Sequence, residues 1–113
     1  MTTPDRARVL VDAMNVVGSR PDGWWRDREG ALRRLEDAAA RYARASGEGV
    51  IVVREGPVAA DEEIVRMVEA DPAPERLRVV TSDRELAQRV RRLGASVEGA
   101  GSFRRRLDEA GPG

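Results

Sequence analysis

Short apolar runs alternate along the chain with segments that have helical periodicity. Residues 9–11, 50–53 and 79–81 are continuous apolar runs rich in β-branched side chains. Such runs are typical of strands that are buried on both faces of a parallel sheet. Residues 96–98 add a shorter segment that we interpret as an edge strand.

The segments between these runs have the spacing of amphipathic helices. Leu32, Leu35, Ala39 and Tyr42 recur at three and four residues, which places them on one helical face. The predicted helices are 25–44, 61–69, a helix capped by Ser82 or Asp83 and ended by Gly94, and a short helix around Phe103 and Leu107. This alternation predicts a small three-layer α/β domain over residues 1–110, with a mostly parallel sheet of about four strands. Residues 111–113 are expected to form a frayed tail.

Composition excludes several classes of protein. The 113 residues suit one domain, and a hydrophobic fraction of 41% is sufficient for a core. The chain has no cysteine and no histidine, which rules out disulfide scaffolds, thiolate or imidazole metal sites and histidine-based catalytic triads. No apolar run approaches the roughly 20 residues that span a bilayer, and the N-terminus lacks a signal-peptide pattern. We therefore expect a cytoplasmic protein that makes no membrane contact.

A net charge of zero conceals an uneven distribution of charge. Acidic residues dominate 55–75 and arginines dominate 84–106, and every basic residue in the chain is arginine. Two interpretations remain open. The charges either solvate helix faces, or the arginines bind phosphate groups through their bidentate guanidinium geometry.

Acidic residues also follow the predicted strands. Asp12 comes directly after the first run, Asp83 follows the third, and Asp61 begins the helix entered from the second. Because ligands of open parallel sheets bind at the carboxyl ends of the strands, we expect these three carboxylates to converge at one edge. Clustered carboxylates need a cation, and oxygen ligands alone favour Mg²⁺ or Mn²⁺.

Structural roles compete with this hypothesis. Asp83 is well placed to be a helix N-cap. The acidic run Asp61, Glu62 and Glu63 favours a helix N-terminus through the helix dipole, without any catalytic role. Asp12 is harder to explain structurally, since a carboxylate directly after a buried strand is costly unless it is bound.

Several motifs occur in an order that resembles a known family. They are VDAMNVVG at 11–18, GSRPDGWWRD at 18–27, ADEEIV at 60–65 and VVTSDREL at 79–86, with GASV at 94–97 and GSFRR at 101–105 behind them. Together they resemble the NYN domain, in its YacP-like bacterial branch, within the PIN-like nuclease superfamily.

This resemblance implies a PIN-like fold that binds a divalent metal and hydrolyses RNA phosphodiester bonds, in some relatives in association with ribosomes. It implies that Asp12 is a principal metal ligand and that Asn15 orients substrate or water. Asp61, with Glu62 beside it, and Asp83 would complete the acidic set. Ser82, and with it Thr81, would lie near the scissile phosphate.

Two features depart from the family pattern. Some relatives carry a further acid four residues after the Asp83 position, where this chain has Ala87. The expected site is therefore short of a ligand unless Glu85 substitutes. The stretch between Val53 and Asp61 is also shorter than in relatives, which place an additional strand there. A missing strand would expose an apolar sheet edge, which favours a homodimer or marks a less active variant.

The leading hypothesis is a metal-dependent endoribonuclease. The arginines expected to hold the RNA backbone are Arg84, Arg89, Arg91 and Arg92. Trp24 or Trp25 either stacks on a base or packs against the first helix. The alternative is a catalytically weak or inactive PIN-like module that binds RNA or a protein partner. Response-regulator and dehalogenase-like phosphatase domains fit badly, because they need a late lysine and an Asp-x-Asp motif respectively.

Overall fold

Strands and helices alternate through residues 7–111, the part of the chain that the computed structural model describes. The strands are β1 (Arg8–Asp12), β2 (Gly49–Val53), β3 (Leu77–Val80) and β4 (Ser96–Glu98). The α-helices are α1 (Ala13–Val17), α2 (Arg28–Ser46), α3 (Ala60–Ala70), α4 (Arg84–Arg92) and α5 (Ala100–Ala110). Two 3₁₀ turns, Trp24–Arg26 and Pro74–Arg76, precede α2 and β3.

Within this range the four strands form one parallel sheet in the order β2-β1-β3-β4. This confirms the predicted α/β class, strand number and strand direction. The chain leaves β1 toward one side of the sheet to form β2 and later returns to the other side to form β3. The carboxyl ends of β1 and β3 therefore flank the switch point of the sheet, where parallel α/β proteins bind their ligands.

The core lies in two layers on opposite faces of the sheet. Val9 and Val11 of β1 face α1, α2 and α5, where Phe103 is fully buried. Leu10 points to the other face and packs with Ile64 of α3 and other side chains from α3 and α4. This alternation along one strand is the two-residue period of β-structure, and it confirms the three-layer arrangement.

Helix α2 begins later than the sequence pattern predicts. Its expected start at Trp25 falls within the 3₁₀ turn, and Asp27 caps the helix by accepting the backbone N–H of Gly30 at 3.0 Å. A Cβ atom on Gly30 would lie 2.3 Å from the Asp27 carboxylate, so a larger residue there would require the capping side chain to move. Gly47, with φ of 79°, ends the helix in the left-handed conformation.

Two further expectations are corrected. The run 50–53 was expected to be buried on both faces, but β2 is an edge strand and Ile51 is 47% exposed. The sequence pattern also missed α1, because a five-residue helix is too short to show a periodic stripe. The expected edge strand at 96–98 is confirmed.

Some expectations are only partly addressed. Of the predicted tail, Pro112 and Gly113 lie outside the described residues. Across residues 7–111, no helix combines the length and apolar character needed to cross a bilayer.

Candidate active site at the switch point of the sheet

A set of polar side chains joins the end of β1 to the loop after β3. Its members, which we call the switch-point cluster, are Asp12, Asn15, Thr81, Ser82 and Asp83. The two chain segments reach the same place because β1 and β3 are parallel neighbours in register, with Leu10 paired to Val79 and Val11 to Val80.

Thr81 links the carboxylate of Asp12 to the backbone of Asp83. Its hydroxyl donates to Oδ2 of Asp12 at 3.0 Å. The Thr81 hydroxyl oxygen also accepts the backbone N–H of Asp83 at 3.1 Å. Thr81 is only 1% exposed, so these bonds are shielded from water. The hydroxyl therefore holds the β1 carboxylate against the loop that carries the second carboxylate.

Asp83 is the N-cap of α4, the structural role that competes with metal binding as an explanation for this residue. Its Oδ1 caps α4 by accepting the backbone N–H groups of Glu85 at 2.9 Å and Leu86 at 3.2 Å. Among the described residues Oδ2 accepts no hydrogen bond. A cap leaves one oxygen of the carboxylate for other contacts, so this role does not exclude a role in ligand binding.

Asn15 and Ser82 fix the loop between β3 and α4. Oδ1 of Asn15 accepts the backbone N–H of Ser82 at 2.6 Å. The Ser82 hydroxyl oxygen accepts the backbone N–H of Ala100 at 3.0 Å, at the start of α5. Both predicted site residues thus lie in the cluster, and the contacts recorded for them position the backbone.

Asp12 is the electrostatically unusual member of the cluster. Burial raises the pKa of its carboxyl group, and the negative charges of Asp83 and Glu55 raise it further, against the lowering effect of the Thr81 hydrogen bond. Asp12 therefore has partly buried negative charge with other acids close to it. A bound cation would relieve this cost.

The acidic residues at the start of α3 behave differently from the expectation. Glu62 forms a two-bond ion pair with Arg89 of α4, at 2.8 and 3.2 Å, and Asp61 accepts the backbone N–H of Glu62. In residues 7–111 no group of three or more acidic side chains is placed to hold a metal ion. Among these residues no formed centre joins Asp12, Asp61 and Asp83. Glu62 pairs with Arg89 of α4 and Asp61 bonds within α3, and metal binding by these two residues stays a prediction.

Glu55 is an acidic neighbour of the cluster that sequence reasoning missed. It lies in the connection between β2 and α3, and its Oε1 accepts the backbone N–H of Ala60 at 3.1 Å, which caps α3. The only signal in the sequence is an acid two residues after the apolar run 50–53. That signal was available, because residues after a parallel strand lie at the ligand-binding edge.

A shallow cavity of about 390 Å³ adjoins the cluster and carries two of the predicted RNA-binding arginines. Its lining includes Thr81, Ser82 and Asp83 together with Arg84, Gln88 and Arg91. Neither arginine side chain has a hydrogen bond or an ion pair within residues 7–111. Arg89, by contrast, is held by Glu62, and Arg92 is exposed but does not line this cavity.

The two tryptophans have different environments. Trp24 packs against the core formed by α1, α2 and α5, whereas Trp25 is 53% exposed. Their rings meet edge to face with centroids 5.9 Å apart. Trp24 does not line the cavity beside the switch-point cluster.

The residues present fit a hard divalent cation held by few protein ligands. Asp12 and Asp83 offer carboxylate oxygens, and burial together with the neighbouring charges of Asp83 and Glu55 raises the pKa of Asp12, so a cation there would stabilise its charged form. Mg²⁺ commonly keeps several waters and binds proteins through one or two carboxylates. The fit is to such a partly hydrated ion, since the described part of the chain lacks a closed cage of three acids.

The parallel α/β fold with strand order β2-β1-β3-β4 is similar to that of solved structures. Rae1 (YacP) from Bacillus subtilis, as its W164L mutant, superposes with a TM-score of 0.79 and 26% identity, covering 91% of this chain and 75% of that one. A second structure of Rae1 gives a TM-score of 0.71 and 23% identity over 90% of this chain and 74% of that one.

The chain therefore has a YacP-like fold of the NYN and PIN-like type. The resemblance inferred from the sequence motifs is confirmed at the level of the fold. No protein-family model matches the chain, and no curated protein matches its sequence.

Proposed function

We propose that this protein is a metal-dependent endoribonuclease whose reaction takes place at the switch-point cluster. The observation that carries the proposal is the pair Asp12 and Asp83, joined through the Thr81 hydroxyl at the ligand-binding edge of a PIN-like sheet. The likeness to Rae1 (YacP) supports a nuclease fold, and the cluster supplies the acidic chemistry that such a fold uses.

In the proposed reaction, Asp12 and Asp83 would hold Mg²⁺ or Mn²⁺. When bound, the ion would supply positive charge beside the scissile phosphate and would increase the acidity of a water molecule there. The Thr81 hydrogen bond keeps Asp12 oriented, and Asn15 keeps the Ser82 backbone in place at the rim of the cavity.

The arginines next to the cluster account for the choice of a nucleic acid as substrate. Arg84 and Arg91 are seven residues apart on α4, line the same cavity and have guanidinium groups without protein partners within the described range. Two such groups at helical spacing are suited to successive phosphates of a single strand. RNA is the substrate class that we assign to the site.

The test is cleavage of a labelled single-stranded RNA by the purified chain with Mg²⁺ or Mn²⁺, compared with EDTA. Asp12→Asn should reduce the rate by at least about 100-fold, because it removes a ligand rather than a supporting contact. Asp83→Asn should also reduce it while preserving the cap of α4, since asparagine is an equally good N-cap. Asp37→Asn is the matched control, because Asp37 is exposed on α2 and has no hydrogen bond or ion pair among residues 7–111.

Binding of the ion has a readout that does not need activity. Millimolar Mn²⁺ should raise the Tm of the wild-type chain by linkage and should leave the Tm of Asp12→Asn unchanged. Cleavage that persists in Asp12→Asn would remove the assignment. Absence of both cleavage and a Mn²⁺ effect on the wild type would favour the alternative, an inactive module that binds RNA or protein.

A further inference from the structure

A second cavity, of about 360 Å³, lies between α2, α5 and the loop that connects α1 to α2. It is on the sheet face opposite α3 and α4, and it shares no lining residue with the switch-point cluster. Its size falls at the lower end of the roughly 300–1,000 Å³ that is usual for small-molecule sites.

The cavity combines an apolar floor with a cationic rim. Trp24 and Leu35 belong to the apolar floor. The rim carries four arginines and two aspartates, namely Arg20, Arg34, Arg41, Arg104, Asp22 and Asp108. The four guanidinium groups outnumber the two carboxylates by two, so the rim has a positive formal charge.

Two of the arginines are neutralised within the protein. Arg104 donates to the carboxylate of Asp22 at 3.0 Å and to the backbone carbonyl of Val16 at 2.9 Å. Arg20 forms an ion pair with Asp108. These contacts hold the loop before α2 against α5 and so form the wall of the cavity.

The other two arginines account for the excess charge. Arg34 is exposed and has no hydrogen bond or ion pair in the described part of the chain. Arg41 donates its Nε–H to the backbone carbonyl of Gly111 at 3.2 Å, which leaves its terminal nitrogens available and its charge unpaired by any acid described here. They lie seven residues apart on α2, two helical turns, and line one cavity.

We propose that this cavity binds a nucleotide unit, with the phosphate on Arg34 and Arg41 and the base on the apolar floor beside Trp24. A planar apolar group that carries one or two negative charges matches both the floor and the excess of two guanidinium groups. The unit is either a free mononucleotide or one residue of an RNA chain, and both present the same chemistry. The inference does not depend on the nuclease proposal, because binding here requires neither metal nor cleavage.

The experiment is a titration of the chain with adenosine 5′-monophosphate in EDTA, followed by tryptophan fluorescence in a Trp25→Phe background. In that background Trp24 is the remaining indole. We expect saturable quenching with Kd below about 1 mM, and weaker binding of adenosine or inorganic phosphate alone. Arg34→Gln and Arg41→Gln should each raise Kd by about tenfold, the loss of one charge-assisted contact.

Matched controls separate this cavity from other cationic surfaces. Arg33→Gln changes an exposed arginine of the same helix that pairs with Glu29, and it should leave Kd unchanged. Arg84→Gln should also leave it unchanged, because Arg84 lines the other cavity. A short RNA lacking terminal phosphates that displaces the mononucleotide would assign the site to the RNA chain, and failure to displace it would assign the site to free nucleotides.

Several results would overturn the proposal. The first is the absence of quenching by the mononucleotide up to about 10 mM. The second is a Kd that Arg34→Gln does not change, and the third is a loss of binding in Arg84→Gln instead. Displacement of the mononucleotide by an acidic peptide of equal charge would also overturn it, because the site would then recognise charge without the base. Because the titrations are carried out in EDTA, none of these results depends on metal-dependent cleavage at the switch-point cluster.

Discussion

The Thr81 hydroxyl links the Asp12 carboxylate to the backbone of Asp83, so its removal tests the cluster without changing either acid. Thr81→Val keeps the shape of this buried side chain but removes a donor to Asp12 and an acceptor for the Asp83 backbone. We expect a loss of about 1–3 kcal/mol in the free energy of unfolding, measured by urea denaturation.

The companion variant Thr81→Ser separates the hydroxyl from the methyl group. Serine keeps both hydrogen bonds and loses only one buried methyl, at about 1 kcal/mol. A carboxyl titration followed by NMR should show the pKa of Asp12 rising further in Thr81→Val and remaining as in the wild type in Thr81→Ser. Identical titrations in both variants would show that the hydroxyl does not act on Asp12.

Asp12 itself should limit the stability of the protein. Because burial and neighbouring acids raise its pKa, the folded state retains this proton to higher pH than the unfolded state. Stability contributed at this position is therefore lost as pH rises above the usual aspartate value of 3.8 and through the raised one. Asp12→Asn should have a higher Tm than the wild type at neutral pH in EDTA.

The pH dependence of this gain is its signature. The difference in Tm between Asp12→Asn and the wild type should shrink as pH falls through the raised pKa, because the wild-type carboxyl then becomes neutral as well. Asp37→Asn, an exposed substitution, should show no gain at any pH. A destabilised Asp12→Asn at neutral pH would mean that the carboxylate is better satisfied in the fold than its burial indicates.

At the scale of single residues, the sequence predicted that Asp12 and Asp83 lie at the same edge of the sheet, but not how they are linked. Asp12 ends β1 and Asp83 comes shortly after β3, so their position could be predicted from the strand pattern. The hydrogen bonds of Thr81 could not, because they depend on the direction of its side chain in the first residue after β3. Glu55 also acts over a turn whose path no periodic pattern specifies.

At the scale of elements, helix α4 presents arginines with different partners. Arg84 and Arg91 line the cavity beside the cluster, while Arg89 is bound by Glu62. We expect Arg84→Gln and Arg91→Gln each to weaken binding of single-stranded RNA and to reduce the slope of log K against log salt by about 0.7. Fluorescence anisotropy in EDTA, at several salt concentrations, measures both quantities.

Arg89→Gln serves as the comparison within the same helix. It removes the same charge but releases Glu62, and its exposed ion pair contributes little to stability. Its effect on the salt slope should be smaller than that of either neighbour. Equal slopes for all three variants would show that the helix acts only through its total charge.

The edge strand β2 is the element whose environment the sequence predicted wrongly. Its apolar run suggested a central position, yet Ile51 is 47% exposed and β2 bonds to β1 alone among the described strands. An apolar run predicts a strand, but the strand order decides whether that strand has a neighbouring strand on both sides. An uncovered parallel edge of this kind favours association with a second copy.

We therefore expect a concentration-dependent homodimer through β2, detected by sedimentation velocity. Ile51→Lys should shift the chain to monomer and change the free energy of unfolding by no more than about 0.5 kcal/mol, since the position is exposed. Val58→Lys is the control, because Val58 is also exposed but lies outside the strand. A monomeric wild type at high concentration would contradict this expectation.

At the scale of the whole molecule, one ion network ties the sheet to two helices. Arg78 of β3 contacts Glu48 at 3.0 Å and Glu98 of β4 at 3.1 Å, and Glu98 accepts a hydrogen bond from Arg106 of α5 at 2.7 Å. Tyr42 of α2 joins through hydrogen bonds with Glu48 and Arg78. The contact between Arg78 Nε and Glu98 Oε1 is close but not aligned as a hydrogen bond, so its attraction is chiefly electrostatic.

This network gives the molecule a response to acid opposite to that of Asp12. Burial works to raise the pKa of Glu98, but hydrogen bonds from Ser102 and Arg106 outweigh it and leave the pKa below its usual value of 4.5. A lowered pKa means stability that is fully present above the unfolded value and lost as pH falls through the folded one. Acidification therefore relieves Asp12 as pH falls through its raised pKa, and it weakens the network as pH falls below 4.5.

Glu98→Gln tests which of these responses dominates. The change removes the buried partner of Arg78 on β4 but leaves its pair with Glu48, so we expect a loss of about 1–3 kcal/mol in the free energy of unfolding at pH 7. Urea denaturation from pH 7 down to pH 3 should show the destabilisation of Glu98→Gln becoming smaller on acidification. The stabilisation expected for Asp12→Asn should become smaller as well. Glu109→Gln, at an exposed position on α5, is the control for loss of a surface carboxylate. If the loss in Glu98→Gln were constant with pH, the network would stabilise the fold through packing rather than charge, and the acid response of the molecule would belong to the switch-point cluster.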